Sequence, residues 1–315
     1  MKLFARQRAV GLDIGAEVVR ALVLEGTRDN ACTTGTGMAT ITAGGNGAAA
    51  AQAIHAALAE ARVEGEAVVT AVGGPEVVVR QLTLPPVPAD RVLQALELQH
   101  RDFGLLPPSE GVLDAQILRR SATECLVLAV SAPKPSVERR LRLLEQAAVP
   151  VHTLEVEALA LLNGVLHLSR LDPRELLVAV DFGTERTMLC LLSERGPVVV
   201  RYLEVSASAL KMEGDDVDIS GASSDVVRRI ADEIRLSLAF YRSEYDRESL
   251  PRYVLSGSLR KRRLNQWLTD GLRLESPFEV MDPFQAVRIA AGRSRSEDSA
   301  GPEFVQAFGL ALRAL

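Results

Sequence analysis

The sequence predicts an α/β protein with a duplicated two-domain fold and a small α/β subdomain inserted into its first half. Three observations lead there. An apolar run at residues 176–180 enters Asp181-Phe182-Gly183-Thr184, turns, and leaves through Met188, Leu189, Cys190, Leu191 and Leu192. That is the pattern of a buried hairpin with a carboxylate at its tip. The same pattern occurs near the N-terminus, where residues 9–12 enter Asp13-Ile14-Gly15-Ala16 and the chain leaves through Val18, Val19 and the apolar run 21–24. Laying Asp13 on Asp181 also lays Gly15 on Gly183 and Glu17 on Glu185, a repeat on the scale of half the molecule and not a solenoid period. The third observation is the break at Pro85-Pro86-Val87-Pro88, behind which a compact unit carries its own helix and strand pattern.

Taken in order, residues 31–43, rich in Thr and small side chains, form a third strand, which Gly44-Gly45-Asn46-Gly47 ends. That glycine cluster lacks the Lys-Ser/Thr of a phosphate loop and reads as a turn. Residues 48–61 form an Ala-rich helix with Ile54 and Leu58 on one face, and residues 67–72 a buried strand closed by Gly73-Gly74-Pro75. The alternation over 76–84 predicts a half-exposed strand. In the insert, a helix over 89–103 carries Val92, Leu96, Gln99 and Phe103 near helical spacing, and strands follow at 111–118 and 124–130. A second helix places Val137, Leu141, Leu144 and Ala148 on one face before a strand at 151–155. The first domain is therefore expected over 1–84, the insert over 85–154, and the first domain's connecting helix over 155–173.

The second domain is expected over 174–315. It continues through a strand at 196–205 into a short acidic stretch, 206–224, that reads as a loop or a reduced subdomain. Ser224-Asp225 is expected to cap the longest helix, where Val227, Ile230, Ile234, Leu238 and Tyr241 form one stripe. A buried strand at 252–255 runs into Ser256-Gly257-Ser258 and a basic helix start at 260–263. Residues 280–284 end another strand, 294–301 are expected to be mobile, and 304–315 form a terminal helix.

Composition excludes several classes. A length of 315 residues supports two domains with cores of their own. A net charge of -5 and an aromatic content of 4% argue against a nucleic-acid partner, which would call for a basic face and stacking platforms. Cys32, Cys125 and Cys190 are widely spaced in apolar surroundings and read as reduced core residues. The four histidines, His55, His100, His152 and His167, show no metal-ligand spacing. No apolar run reaches the length of a membrane span, and Lys2, Arg6 and Arg8 precede no signal-peptide core. A cytoplasmic protein is the expectation.

A glycine two residues after each Asp lets the backbone turn tightly and present N–H groups that can hold phosphate oxygens. A carboxylate beside phosphates makes sense when it faces Mg²⁺ or its waters. Two such hairpins facing each other would clamp one nucleotide. One Asp-x-Gly alone is an ordinary turn signal; the repeat on two apolar hairpins carries the expectation.

The ordered series VGLDIGAEVVRALVLE, VLQALELQHRDFGLLPPSE, VLDAQIL, LVAVDFGTERTMLCLL, EIRLSLAFYRSE, YVLSGSLRKRRLNQWL, MDPF and FVQAFGLALRAL resembles the PilM family, the cytoplasmic actin-like component of type IV pilus assembly, over nearly the whole chain. The resemblance implies an actin-like (ribonuclease H-like) fold with ATP and Mg²⁺ in the cleft between halves. It also implies peripheral attachment at the inner membrane through partners: the cytoplasmic tail of a PilN-like membrane protein, taken in a groove, and other pilus platform proteins. Carried over residue by residue, Asp13 and Gly15 fall on the first phosphate hairpin and Arg20 on its usual Lys. Asp181, Gly183 and Thr184 fall on the second hairpin, with Asp13 and Asp181 as the metal-facing carboxylates. Ser256 and Gly257 fall on the adenosine turn, and Glu157 on an acidic residue that could orient a water. The chain departs from the family pattern at Ala16, where Ser is usual, and over 205–224, where a longer helical subdomain is usual. Slow turnover at most is the resulting expectation. Two other readings of the same fold are a nucleotide-free module of a type II secretion or related platform, and a phosphotransferase.

Overall fold

The structure, a computed structural model, describes residues 7–42, 47–205, 212–213, 216–217, 222–245, 250–258, 262–286, 288–289 and 301–315. Strands β1 (Gln7–Ile14) and β2 (Val18–Gly26) form an antiparallel hairpin in which Asp13 faces Arg20. Strand β3 (Cys32–Thr40) pairs antiparallel with β2, and helix α1 (Gly47–Glu60) buries Ile54 and Leu58 against this sheet. Strand β4 (Val68–Val72) runs parallel to β1. All five of its residues are buried, as a strand covered on both faces requires.

Strand β5 (Val78–Leu84), helix α2 (Val92–Leu98), strand β6 (Gly111–Arg120) and strand β7 (Cys125–Pro133) follow, and β5-β7-β6 make a separate three-stranded antiparallel sheet. This corrects the expected boundary at Leu84. The half-exposed strand belongs to the insert's sheet, paired along its length with β7. Leu84, Val92, Leu96 and Val127 share the insert's own core.

Helix α3 (Lys134–Gln146) packs back onto the first domain, where Leu144 joins the core of β1, β2 and α1. Strand β8 (Val151–Val156) pairs parallel with β4, so the insert is confined to the β5–β7 stretch and does not extend to Leu154. The expected stripe on α3 is also corrected. Leu141 is exposed, and Ala148 lies past the helix end with φ 47°; the inward face is Leu144 with Ala147 just beyond it. Helix α4 (Glu157–Leu168) then leads to the second half.

There β9 (Glu175–Phe182), β10 (Thr187–Ser193) and β11 (Gly196–Leu203) form the second antiparallel meander. After the short pair β12 (Met212–Glu213) and β13 (Asp216–Val217) come α5 (Ala222–Tyr245), β14 (Leu250–Gly257), α6 (Arg262–Leu272) and β15 (Glu279–Val280). Helix α7 (Pro283–Ala286), strand β16 (Arg288–Ile289) and helix α8 (Val305–Ala314) close the chain. Helix α5 starts at Ala222, so Ser224 lies inside its first turn and is not its cap. The predicted stripe from Val227 to Tyr241 is buried in the second domain's core. The glycine turn at 44–46, the basic start at 260–261, the stretch 294–300 and most of 206–221 lie outside the described residues.

The two large sheets repeat one topology. The first has the order β16-β3-β2-β1-β4-β8 and the second β11-β10-β9-β14-β15. Apart from the edge strand β16, each is a meander of three strands followed by two parallel strands. Helices α1 and α5 follow the third strand of each unit, α3 and α6 precede the fifth, and α4 and α8 come after it. The last pair forms the seam between the halves. At Gly309 any Cβ would fall 1.8 Å from the Ala160 carbonyl oxygen, and at Gly164 it would fall 2.6 Å from that of Val305. Glycine on both helices is what lets their backbones touch.

Candidate functional site

The tips of the two hairpins face one cleft of about 640 Å³, within the range of small-molecule sites. Of the residues expected at a site, Asp13, Gly15, Arg20, Glu157, Asp181, Gly183, Thr184 and Gly257 all line it. Ser256 stands behind them, 2% exposed, with its hydroxyl donating to Asp181 Oδ1 at 2.6 Å. The cross-strand partner of Asp181 in the parallel ladder is Ser256 itself, so β14 delivers the hydroxyl by register alone.

The two carboxylates are held differently. Asp181 has both oxygens engaged by neutral donors, Oδ1 by Ser256 and Oδ2 by Gln306 Nε2 of α8 at 2.9 Å. Asp13 accepts from Arg20 Nη1 at 3.4 Å. Beside it lies Arg140 of α3, whose Nη2 donates to the Ile14 carbonyl oxygen at 3.1 Å. Glu157, in the first turn of α4, lies over Gly73, where any Cβ would collide with its carboxylate at 1.8 Å.

Burial pushes the Asp13 carboxyl above the usual carboxylate range, against the pull of Arg20 and Arg140. It pushes Asp181 the same way, opposed by the Ser256 hydrogen bond and reinforced by the charge of Asp13. For Glu157 burial again leads, and Asp13 adds to it. The Arg140 guanidinium is drawn down from its ordinary value by burial, with Glu157 and Asp13 opposing.

Sequence reasoning found Arg20 and missed the other cations of the cleft. Arg140 and Arg186 line it, with Arg139 and Arg142 at its mouth. The Arg186 guanidinium sits 5.7 Å from the centroid of the Tyr202 ring. Nothing local marks Arg140 as a site residue, since it lies 126 residues from Ile14. A signal existed in the helical spacing of Ser136, Arg139, Arg140, Leu143 and Gln146, one face of α3, all of which line the cleft.

The residues suit an anionic ligand. Arg20 Nε is buried without a partner, an unsatisfied donor that a phosphate or carboxylate oxygen would take up. The turns use two of their own backbone donors internally. The Gly15 N–H donates to the Val18 carbonyl at 3.0 Å and the Gly183 N–H to that of Arg186 at 3.1 Å. Both glycine donors are spent inside their own turns, so these two N–H groups are not the ones that would meet a ligand, whereas the cleft's arginines are among the donors that line it.

A divalent ion fits less well. Both Asp181 oxygens carry hydrogen bonds from protein, and Asp13 is already faced by two guanidinium groups. Two unit charges about 4 Å apart interact by roughly 4 kcal/mol at an effective dielectric near 20, and a dication doubles that repulsion.

The paired sheets and the cleft between their hairpins define the actin-like fold. The chain is similar, at TM-score 0.80 and 27% identity, to a chain of a PilM–PilN type IV pilus biogenesis complex, with 98% of this chain and 99% of that one covered. The resemblance to PilM thus extends over nearly the whole length of the chain. A second solved structure, the ethanolamine utilization protein EutJ from Carboxydothermus hydrogenoformans, shares the fold at TM-score 0.51 and 13% identity over 98% of this chain and 90% of that one. No family model matches the sequence, and no curated protein does.

Proposed function

We propose that this chain is an actin-fold scaffold of a type IV pilus inner-membrane platform, binding the cytoplasmic tail of a PilN-like membrane protein and a nucleotide in its central cleft. The observation that carries the reading is the likeness, insert included, to a chain of the PilM–PilN complex over nearly the full length of both. No helix among the described residues is long and apolar enough to cross a membrane. A cytoplasmic protein held at the inner membrane through its partners is consistent with that.

The insert is the proposed tail site. Its helix α2 and strand β6 expose Leu93, Leu98 and Val112, with Leu98 at 79%. By contrast Leu96 is fully buried and Phe103 packs on the insert's own core, so those two side chains hold the insert together. An extended apolar tail would add main-chain hydrogen bonds along the sheet and cover the exposed side chains. Catalysis is a minor part of the reading. Glu157 is the residue that would orient a water, and turnover is expected far below about 10 per second.

A titration of the full chain with a synthetic PilN-type tail peptide, followed by amide hydrogen exchange, tests the partner. Protection over the insert and residues 76–84 is the expected result. Binding that protects only the second half, or none at hundreds of micromolar peptide, contradicts it.

A further inference from the structure

The cleft's charge arrangement differs from what two metal-facing carboxylates would need, and the difference has a direction. Arg140 reaches across from α3 to the base of the first hairpin, anchored on the Ile14 carbonyl. Its charge acts on both Asp13 and Glu157. Arg20 stands opposite Asp13 in the β1–β2 ladder and pairs with it. A guanidinium has five N–H donors in a fixed fork. Arg140 spends one of them in the protein, and the Arg20 Nε has no partner at all.

We infer that Arg20 and Arg140 do in this chain what a divalent cation does between two phosphate hairpins, so that the cleft binds a nucleoside polyphosphate without a metal ion. The inference rests on the nucleotide reading of the cleft given above and specifies its chemistry. Ligand phosphates would meet Arg20 and Arg140, whose bidentate geometry suits phosphate oxygens. Asp13 then serves to hold Arg20 in place. Asp181, tied to Ser256 and Gln306, fixes the second hairpin. Arg186, resting on Tyr202 across the cleft, is positioned to meet the same ligand.

The test is the thermal shift of the purified full chain with millimolar ATP, ADP or inorganic tripolyphosphate, each in excess EDTA and in excess Mg²⁺. A ligand that binds only the native state raises the melting temperature. The expected result is a shift in EDTA at least as large as the shift in Mg²⁺. Tripolyphosphate should reproduce most of it if the arginines carry the binding. Arg140→Met and Arg20→Met should each abolish the EDTA shift, with the melting of the unliganded variants recorded alongside to establish that they fold. A shift that appears only with Mg²⁺ overturns the inference and leaves the nucleotide reading standing. No shift under any condition overturns both. The EDTA and Mg²⁺ comparison on the parent protein needs no variant, so a variant that fails to fold does not spare the inference.

Discussion

The two halves present the same hairpin to the same cleft and treat its carboxylate in opposite ways. In the first half the residue facing Asp across the hairpin is Arg20, and in the second it is Met188. The first half surrounds Asp13 with full charges from β2 and α3, and Asp13 in turn is close enough to act on Glu157. The second surrounds Asp181 with dipoles from β14 and α8. A carboxylate with both oxygens hydrogen-bonded across three elements is a clamp for the structure around it. A carboxylate faced by guanidiniums with donors to spare is a place where an anion can enter. Duplication supplied two tips, and their surroundings divided the work.

The largest effect is expected where the halves meet, because breaking that seam removes the frame in which the two tips can be compared at all. Gly309→Val would drive a side chain into the Ala160 carbonyl of α4, and neither backbone can yield without shifting its sheet. A loss of more than about 3 kcal/mol is expected. Urea unfolding would report it as a lowered midpoint, and a midpoint within a few tenths of a molar of the parent's would show that the α4–α8 seam is not tightly packed.

The next effect separates clamp from anion site. Ser256→Ala removes a hydrogen bond to a buried carboxylate, worth about 1.5 to 3 kcal/mol, and should lower stability by that amount without a ligand present. Arg20→Met should cost less in the unliganded protein, since the Arg20 guanidinium is itself incompletely satisfied. Denaturant midpoints of the two variants, measured side by side, check the ranking. The reverse order would mean that the first tip, not the second, is the structural one.

How much of this was legible in the sequence follows from the range of the interactions. The hairpins were legible because strand, turn and strand are contiguous, and the repeat of Asp13-x-Gly15 in Asp181-x-Gly183 could be matched by eye. The stripe on α5 was legible because helical period is local. The insert's edges were missed by one strand at its start and by a helix and a strand at its end. Alternation over residues 76–84 reveals a half-exposed strand but not the sheet that claims it. Gln306 and Arg140 were missed because they reach the site from positions more than a hundred residues away. Only the assembled fold places α3 over the first hairpin and the start of α8 beneath the second.

The smallest expected effect is the pH dependence of the unliganded protein, and its sign follows from burial. Asp13, Asp181 and Glu157 all have carboxyls pushed above their ordinary range. The folded state therefore binds protons more readily than the unfolded chain between the ordinary carboxylate pKa, near about 4, and each raised folded value. Over that window stability falls as pH rises; below it these groups contribute no slope, and above it the cost of burying their charge is fully present. Asp181→Asn and Asp13→Asn should each flatten the fall, as read from denaturant unfolding at a series of pH values. Asp181→Asn should flatten it more. The groups favouring its ionisation are chiefly the dipoles of Ser256 and Gln306, whereas Arg20 and Arg140 bring full charges to Asp13. Equal flattening by the two variants would mean that the arginines do little for Asp13, and the contrast between the halves would then lie in shape alone.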